Sequence, residues 1–490
     1  MKRSSLWFGL LALAATAGVL PMACSSGSPP SAQAFKVESR TQLVGGHRAL
    51  ADVGDFKLTN GIIQVIVQDI GHSRGFGAFG GSLIDIDLVR GSSTRPSEGP
   101  AGNDQFTELF PAFLLEAMEP TKVEIVADGK QGGPAIVRVT GEGGEFLSMA
   151  KTVNDLVLTA PLQYRVDYIL EPGKQYVKAE VTVTNPETNG PAQFPIEVPT
   201  GFITMLGAGQ KLFVPGLAGY DMRFRLDEVY AKKAAVDALP GEVATMVATE
   251  GDGVSYAFAA DPKGAGYLWN ERAPKYPDAE RDSMLIPLAY SSFLGTYWGQ
   301  LPELAPGKSY SFAGYLAVGG GDVASAQKVI YDLKQKPVGR ISGTVREQST
   351  GDQVDDITVV FQNDKGHYLS STRTRDGGRY VAWVPPGTYR LIAFDDTRAP
   401  VFHQDVRVEA GGTANADLEI PRPAYLSVTV TDDQGRALPA KISVEAIPDA
   451  PDKAGPPWTF LYNLRFGEER RATDFLPDDA NDPGTRRYLE

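Results

Sequence analysis

The sequence predicts a mainly β protein with few helices, in which a large sandwich of sheets is followed by smaller ones. Three observations lead there. Runs that alternate apolar and polar residues recur, most clearly over Tyr164–Leu170 and Tyr176–Thr184; that is the period of a strand with one buried face. Glycine (53 residues) and proline (35) are abundant, and they fall between those runs, where turns need their backbone geometry. Val, Thr and Tyr, which fit a pleated and half-buried surface, are plentiful.

The chain opens with Lys2 and Arg3, an apolar run from Leu6 to Leu20, and then Pro21-Met22-Ala23-Cys24. A basic start, an apolar stretch and a small residue before a cut make a secretory signal peptide. The run is shorter than the roughly 20 apolar residues that a spanning helix needs, and Pro21 interrupts it. Cys24 is the only cysteine. Its place after Ala23 resembles the lipobox of bacterial lipoproteins, with Pro21 where Leu or Val is commoner. The resemblance implies a signal peptide over 1–23 and a mature N-terminus at Cys24 carrying palmitate-type acyl chains. A flexible tether over 24–34 would follow, rich in Ser, Gly and Pro. Two or three chains, at about 0.8 kcal/mol per buried methylene, anchor far more firmly than one. The implied location is the cell envelope, and Ser25, in place of a retention Asp, favours the outer membrane.

The remaining length suits roughly two to four domains. A hydrophobic fraction of 42% is enough for real cores. The formal charge of −13 excludes nucleic acid as a partner, because such a chain repels polyanions. With Cys24 acylated no disulfide can form, so stability must come from burial.

Over 35–320 the strands come in order. Ile62–Gln68 reads as a buried strand and Ser82–Leu88 alternates with period two. Val123–Ala127 and Ala135–Thr140 flank an Asp128-Gly129 turn, and Glu171-Pro172-Gly173-Lys174 joins the two longest alternating arms. This hairpin and the strands after it resemble the two-sheet super-sandwich of galactose-mutarotase-like domains. Within 321–338, Asp322 can cap a helix whose Val323, Ala326, Ile330 and Leu333 share a face before Pro337 stops it. It is expected to be a connector closing the first domain.

From Gly339 the texture changes to short strands: Gly339–Val345, Thr358–Phe361, a third after the turn at Asp376-Gly377-Gly378, and a fourth entered through Val384–Leu391, which holds the corner Pro385-Pro386-Gly387. The order resembles the carboxypeptidase-regulatory-like domain, which implies a small seven-stranded prealbumin-type sandwich over 339–421. Tyr380, Trp383 and Tyr389 are expected to fill its core. Tyr425–Gly435 and Ala440–Ala446 begin a second copy. The pattern then stops, leaving 422–490 as a partial sandwich with an irregular tail and an exposed edge.

Catalytic signals are sparse. Gly75-Phe76-Gly77-Ala78-Phe79-Gly80 has the Gly-x-Gly-x-x-Gly spacing. A dinucleotide needs a helix N-terminus next, and here a strand follows; a turn between strands is expected, with no cofactor. The four histidines, His47, His72, His367 and His403, are far apart in sequence. A metal site from His47, His72 and Asp69 or Asp85 lacks the usual convergence of ligands, so these residues are expected on solvated loop tips. Mutarotase chemistry needs a histidine with a carboxylate, and none occurs between His72 and His367. The acidic pairs at 395–396, 432–433 and 478–479 read as solvated turns.

The aromatic cluster Tyr267, Trp269, Tyr276, Tyr290, Tyr297 and Trp298 could stack on sugar rings. Neighbouring strand residues face opposite sides, so Tyr297 and Trp298 cannot share a face; Tyr267, Trp269, Tyr290 and Trp298 are the candidates for ligand contact. The reading is a lipid-anchored envelope protein with a non-catalytic binding or spacer role, whose partners are the membrane and either carbohydrate or another envelope protein. The alternative is the accessory N-terminal part of an enzyme, since a large β-domain followed by regulatory-like sandwiches resembles CehA/McbA-type PHP metallohydrolases. Their His-x-His motif is missing from this chain.

Overall fold

In the computed structural model, the described residues are 31–91, 101–113, 116–145, 162–193, 200–207, 210–213, 215, 219, 246–261, 285–289, 293–297, 303–395, 398, 400–423, 427, 429–438, 442–444 and 487–489. They form a mainly β protein, as the alternation predicts. Its first strands are β1 (Gln33–Lys36), β2 (Phe56–Thr59), β3 (Ile63–Val67), β4 (Leu83–Leu88), β5 (Glu108–Phe113), β6 (Glu116–Asp128), β7 (Ala135–Glu145), β8 (Gln163–Leu170) and β9 (Tyr176–Thr184). There follow β10 (Ala192–Gln193), β11 (Thr200–Met205), β12 (Lys211–Phe213), β13 (Met246–Glu250), β14 (Ser255–Ala260), β15 (Leu285–Ala289), β16 (Phe293–Tyr297), β17 (Glu303–Leu304) and β18 (Ser309–Gly319).

One 14-stranded sheet runs β1-β2-β3-β4-β5-β6-β7-β8-β9-β18-β14-β13-β12, with β11 beside β5. The ladder thins to a single pair, Leu83↔Leu109, between β4 and β5 and to two pairs between β5 and β6. Hydrogen bonding still continues through both thin junctions, and strands on either side of them contribute to one core. Leu58, Val65, Val137, Val166, Val181, Phe258 and Phe312 share that core. Phe202 sits edge-on to Phe258 and Phe312 at 5.7 and 5.4 Å between centroids, a favoured ring geometry. The hairpin of β8 and β9 has the register Val166↔Val181, which puts both valines inside.

The outer face of β3 and β4 is also covered. Residues 37–55 cross it as a strap, packing Val37, Val44, Leu43, Leu50 and Ala51 on Ile66 and Ile84. Gly46 allows this close approach, since a Cβ there would stand 2.2 Å from the Asp104 amide nitrogen at a φ of +134.

Helix α1 (Val323–Leu333) follows β18, with the Asp322 side chain accepting from the Ser325 amide at 2.9 Å. The small sandwich comprises β19 (Gly339–Glu347), β20 (Thr358–Asn363), β21 (Tyr368–Arg373), β22 (Arg379–Val384), β23 (Gly387–Phe394), β24 (Val401–Val408), β25 (Thr413–Asn415) and β26 (Leu418–Ile420). One sheet is β21-β20-β23-β24; in the other, β19 pairs β22 and, in parallel, both β25 and β26. Those last two act as one interrupted strand. Tyr380 and Tyr389 fill the core with Phe361 and Leu391. Trp383 does not: period two puts it on the face opposite Tyr380, half-buried, with the Lys328 ammonium 5.5 Å from its ring.

The helix does more than close the first body. Its Val323, Ala326, Ile330 and Tyr331 share one apolar cluster with Met246, Ala257 and Ala317 of the large sheet and Val360, Ile392 and Phe394 of the sandwich. Of the second copy, β27 (Ile442–Val444) and β28 (Arg487–Leu489) pair antiparallel; the rest of that expectation lies mainly outside the described residues.

Candidate functional site

Among the described residues, a group of buried ionisable side chains lies where β2, β3 and β4 meet the loop over 68–82. Asp55, just before β2, is 2% exposed. Its Oδ1 accepts from the Asp69 amide at 3.0 Å; its Oδ2 accepts from the Asp52 amide at 2.8 Å and pairs with the Arg74 guanidinium. Lys36 at the end of β1 pairs with Asp69 at 3.0 Å. Asp55 and Asp69 together tie the end of β1, the turn before β2 and the loop over 68–82.

Glu108, which begins β5, is fully buried and organises the Gly-rich loop. It accepts from Ser73 Oγ and Ser82 Oγ, both at 2.6 Å, and from the Phe76 and Gly77 amides, both at 2.5 Å. Successive amides in a tight loop make an anion-binding concavity, and here the anion is the protein's own carboxylate. The stretch Gly75–Gly80 joins β3 to β4. Beside it, residues 77–82 with Phe110, Pro111, Ala117 and Met118 line a depression of about 230 Å³.

A second layer lies beneath the strap. Asp85 and Asp87 occupy alternate positions of β4, on the face away from the main core, and both are fully buried. Asp85 accepts from the Leu50 amide at 2.7 Å and the Ala51 amide at 3.1 Å. Burial outweighs those two bonds and pushes its carboxyl up to about 6. Lys57 on β2 donates to Gln42 O at 2.6 Å, Leu43 O at 3.4 Å and Gln64 Oε1 at 2.8 Å. Burial lowers its ammonium to about 8, while the Asp85 charge works the other way. Asp104 is buried too; Oδ1 accepts from the Ile86 amide at 2.9 Å, and Oδ2 has no partner among the described residues. Burial first, then the Asp85 charge, holds it well above the usual carboxylate range.

Further along, Asp87 takes both arms of Arg90 at 2.8 Å and the Asn103 amide at 2.7 Å. Tyr256 OH accepts from the Gln105 amide and donates to Ile86 O, each at 3.0 Å. Apart from the partly exposed Arg90 and Asn103, these groups are buried, and the arrangement fastens loops to the sheet.

Asp85 corrects the expectation of a solvated loop tip. It lies within a strand, and the strap covers a face that alternation alone marks as exposed. His47 and His72 are exposed on loops, and no three metal-ligating side chains converge among the described residues. Cys24, Tyr267, Trp269, Tyr290 and Trp298 lie outside the described residues, and of Tyr297 only the backbone, in β16, is described. Sequence reasoning missed Lys57, Asp104 and Glu108. The only local signal was their setting beside apolar runs, which does not separate a buried ion from a solvated one.

A family model described as the carboxypeptidase regulatory-like domain matches residues 340–421. No curated protein matches. Similar solved structures include the Slr1438 protein from Synechocystis sp. PCC 6803, at 9% identity over 54% of this chain and 96% of that one, TM-score 0.29. A galactose mutarotase related enzyme from Lactobacillus acidophilus gives 9% identity over 55% and 98%, TM-score 0.24. A candidate carbohydrate binding protein from Bacteroides uniformis ATCC 8492 gives 18% identity over 17% of this chain and 41% of that chain, TM-score 0.15. The match thus spans under half of that last protein's length. Such TM-scores carry no argument about activity, whereas the family match identifies the carboxypeptidase-regulatory-like segment within the chain.

Proposed function

We propose that this is an envelope protein held to a membrane by acyl chains on Cys24, with a non-catalytic binding or spacer role. One observation carries the spacer part: the apolar cluster that runs from the large sheet through α1 into the small sandwich. Interfaces between mobile bodies are more polar than this. An apolar junction of this kind makes a stiff block, which suits holding a ligand or partner at a set distance from the bilayer.

Carbohydrate is the ligand class proposed, with Tyr267, Trp269, Tyr290 and Trp298 as the stacking residues. Glycan-array binding of the chain from residue 24 onward tests it, with Trp269→Ala and Trp298→Ala beside it. Binding that both substitutions abolish supports the reading, and an array without signal removes it. Mass spectrometry of the N-terminal peptide tests the anchor separately; an unmodified Cys24 thiol overturns it.

A second reading makes the same block the accessory part of a PHP-type metallohydrolase, on the strength of the order of the two bodies. Reading the DNA after the Glu490 codon tests it. An in-frame His-x-His region favours the enzyme, and a stop codon there removes that reading.

A further inference from the structure

The outer face of the small sandwich carries an arrangement that the proposed function leaves unused. Ile341, Tyr380, Ala382 and Ala414 face the core, so the alternate residues of β19, β22 and β25 face outward. The register sets Trp383, Arg340 and Thr413 in one outward row: Trp383 stands opposite Arg340, and Arg340 pairs with Thr413. The next outward row is Val381, Ser342 and Asn415. Neighbouring strands lie about 4.8 Å apart, so each row spans about 10 Å.

Trp383 is half-buried, so part of its indole stays open to solvent. Lys328 of α1 stands 5.5 Å from that ring, and Asp332 one turn on neutralises it at 2.5 Å. Arg340 is different. It is exposed, its Nη1 donates to Ser342 Oγ at 2.9 Å, and among the described residues no carboxylate pairs with it. A guanidinium carries five N–H donors, so most of them remain for a ligand. Thr413 and Asn415 are exposed, and their side chains take no bond from a described residue. Carboxylates of the same face lie at its other end: Asp417 accepts from the Thr344 amide at 2.8 Å, and Glu419 pairs with Arg346 in register. The Trp383 end therefore holds an unmatched positive charge on a chain of formal charge −13. Nucleic acid binding needs several phosphate contacts, and one guanidinium does not supply them. An indole, a guanidinium, an amide and a hydroxyl together suit a ligand with an apolar ring face, a carboxylate and hydroxyl groups.

We propose that this face binds a carboxylated glycan, with a sugar ring packed on Trp383, its carboxylate on Arg340 and its hydroxyls on Thr413 and Asn415. The inference rests on the carbohydrate reading for the ligand class alone, and it uses none of Tyr267, Trp269, Tyr290 and Trp298. Arg340 matches a carboxylate in charge and in its planar fork of donors, so the acid is favoured over the neutral sugar.

The test is titration calorimetry on the chain from residue 24 onward carrying Cys24→Ser, with tetragalacturonate and its methyl ester as probes. The acid should bind about tenfold more tightly than the ester, and Arg340→Ala should remove that difference. High salt should weaken the parent's binding of the acid and leave that of Arg340→Gln unchanged. Trp383→Ala should weaken both probes, whereas Arg346→Ala, at the other end of the face, should change neither. If Trp383→Ala melts early through loss of the Lys328 contact, Trp383→Leu replaces it, keeping an apolar side chain without the ring. No binding by the parent, equal binding of acid and ester, or equal binding of the acid by parent and Arg340→Ala would overturn the proposal. Trp269→Ala and Trp298→Ala separate the two sites. Acid binding that needs Arg340 but neither of those tryptophans removes the earlier stacking set alone; array binding that needs both tryptophans, with no tetragalacturonate bound, removes the Trp383 face alone.

Discussion

The Arg373 guanidinium lies 2.6 Å from the Glu250 carboxylate, joining β21 of the small sandwich to β13 of the large sheet. The Glu250 side chain is only 5% exposed, so the pair is mostly shielded from water. Near it, Thr372 Oγ1 donates to Asp322 Oδ2 at 2.6 Å, and Arg375 donates to Gly320 O at 2.9 Å. Arg373→Ala removes a charged partner of a buried carboxylate and should destabilise the chain by about 2 kcal/mol. Since an apolar cluster joins both bodies through α1, calorimetry should show a single transition moved downward. Two separated transitions in the parent chain would contradict that.

Ile330 tests the apolar half of the same junction. It is fully buried on α1, within the cluster shared by both bodies. Ile330→Ala should cost about 2–4 kcal/mol, the loss of burial plus the residual cavity. Urea denaturation gives the value, and proteolysis should speed up around 320–338. A change under about 0.5 kcal/mol would mean that the site is not a packed core.

Glu108 gives a loop-specific prediction. Glu108→Ala strands the Phe76 and Gly77 amides and two serine hydroxyls, a loss of about 2–4 kcal/mol. Hydrogen exchange should quicken at Phe76 and Gly77 before it changes in β8 or β9. Gly75→Ala should act in the same place, because its Cβ would stand 2.5 Å from a Glu108 carboxylate oxygen.

The strap gives a pH prediction of unusual sign. The Asp85 carboxyl rises from 3.8 to about 6 on folding, so the native state binds this proton more tightly than the unfolded chain. Its contribution therefore falls as pH rises from 3.8 to about 6. Lys57 drops from 10.5 to about 8, so its contribution improves as pH rises through that interval. Together they are least favourable between about 6 and 8. The stability difference between the parent and Asp85→Asn should decline from pH 4 to pH 6, and that between the parent and Lys57→Met should grow above pH 8. Denaturation midpoints across this range check both; flat difference curves would show that neither group shifts its pKa on folding.

Particular elements show what could be read from the chain. Tyr164–Leu170 and Tyr176–Thr184 were legible because alternation and a Pro-Gly turn act within a few residues, and β8 and β9 cover them. The α1 cap was legible for the same reason, since Asp322 and Ser325 are three positions apart. Trp383 was assigned to the wrong face although alternation with Tyr380 already separated the two. Glu108 was not legible at all, for its partners lie 26 to 35 positions earlier in sequence.

The sequence by itself determined the β class, the long hairpin, the capped helix and the carboxypeptidase-regulatory-like segment, because backbone periodicity and turn chemistry are local. Only the tertiary structure decided that Asp85 and Asp104 lie under a strap, that Glu108 fills the glycine loop, and that α1 is shared by two bodies. Desolvation and close packing depend on residues brought together from far along the chain. A carboxylate has the same letter whether water or a buried amide surrounds it.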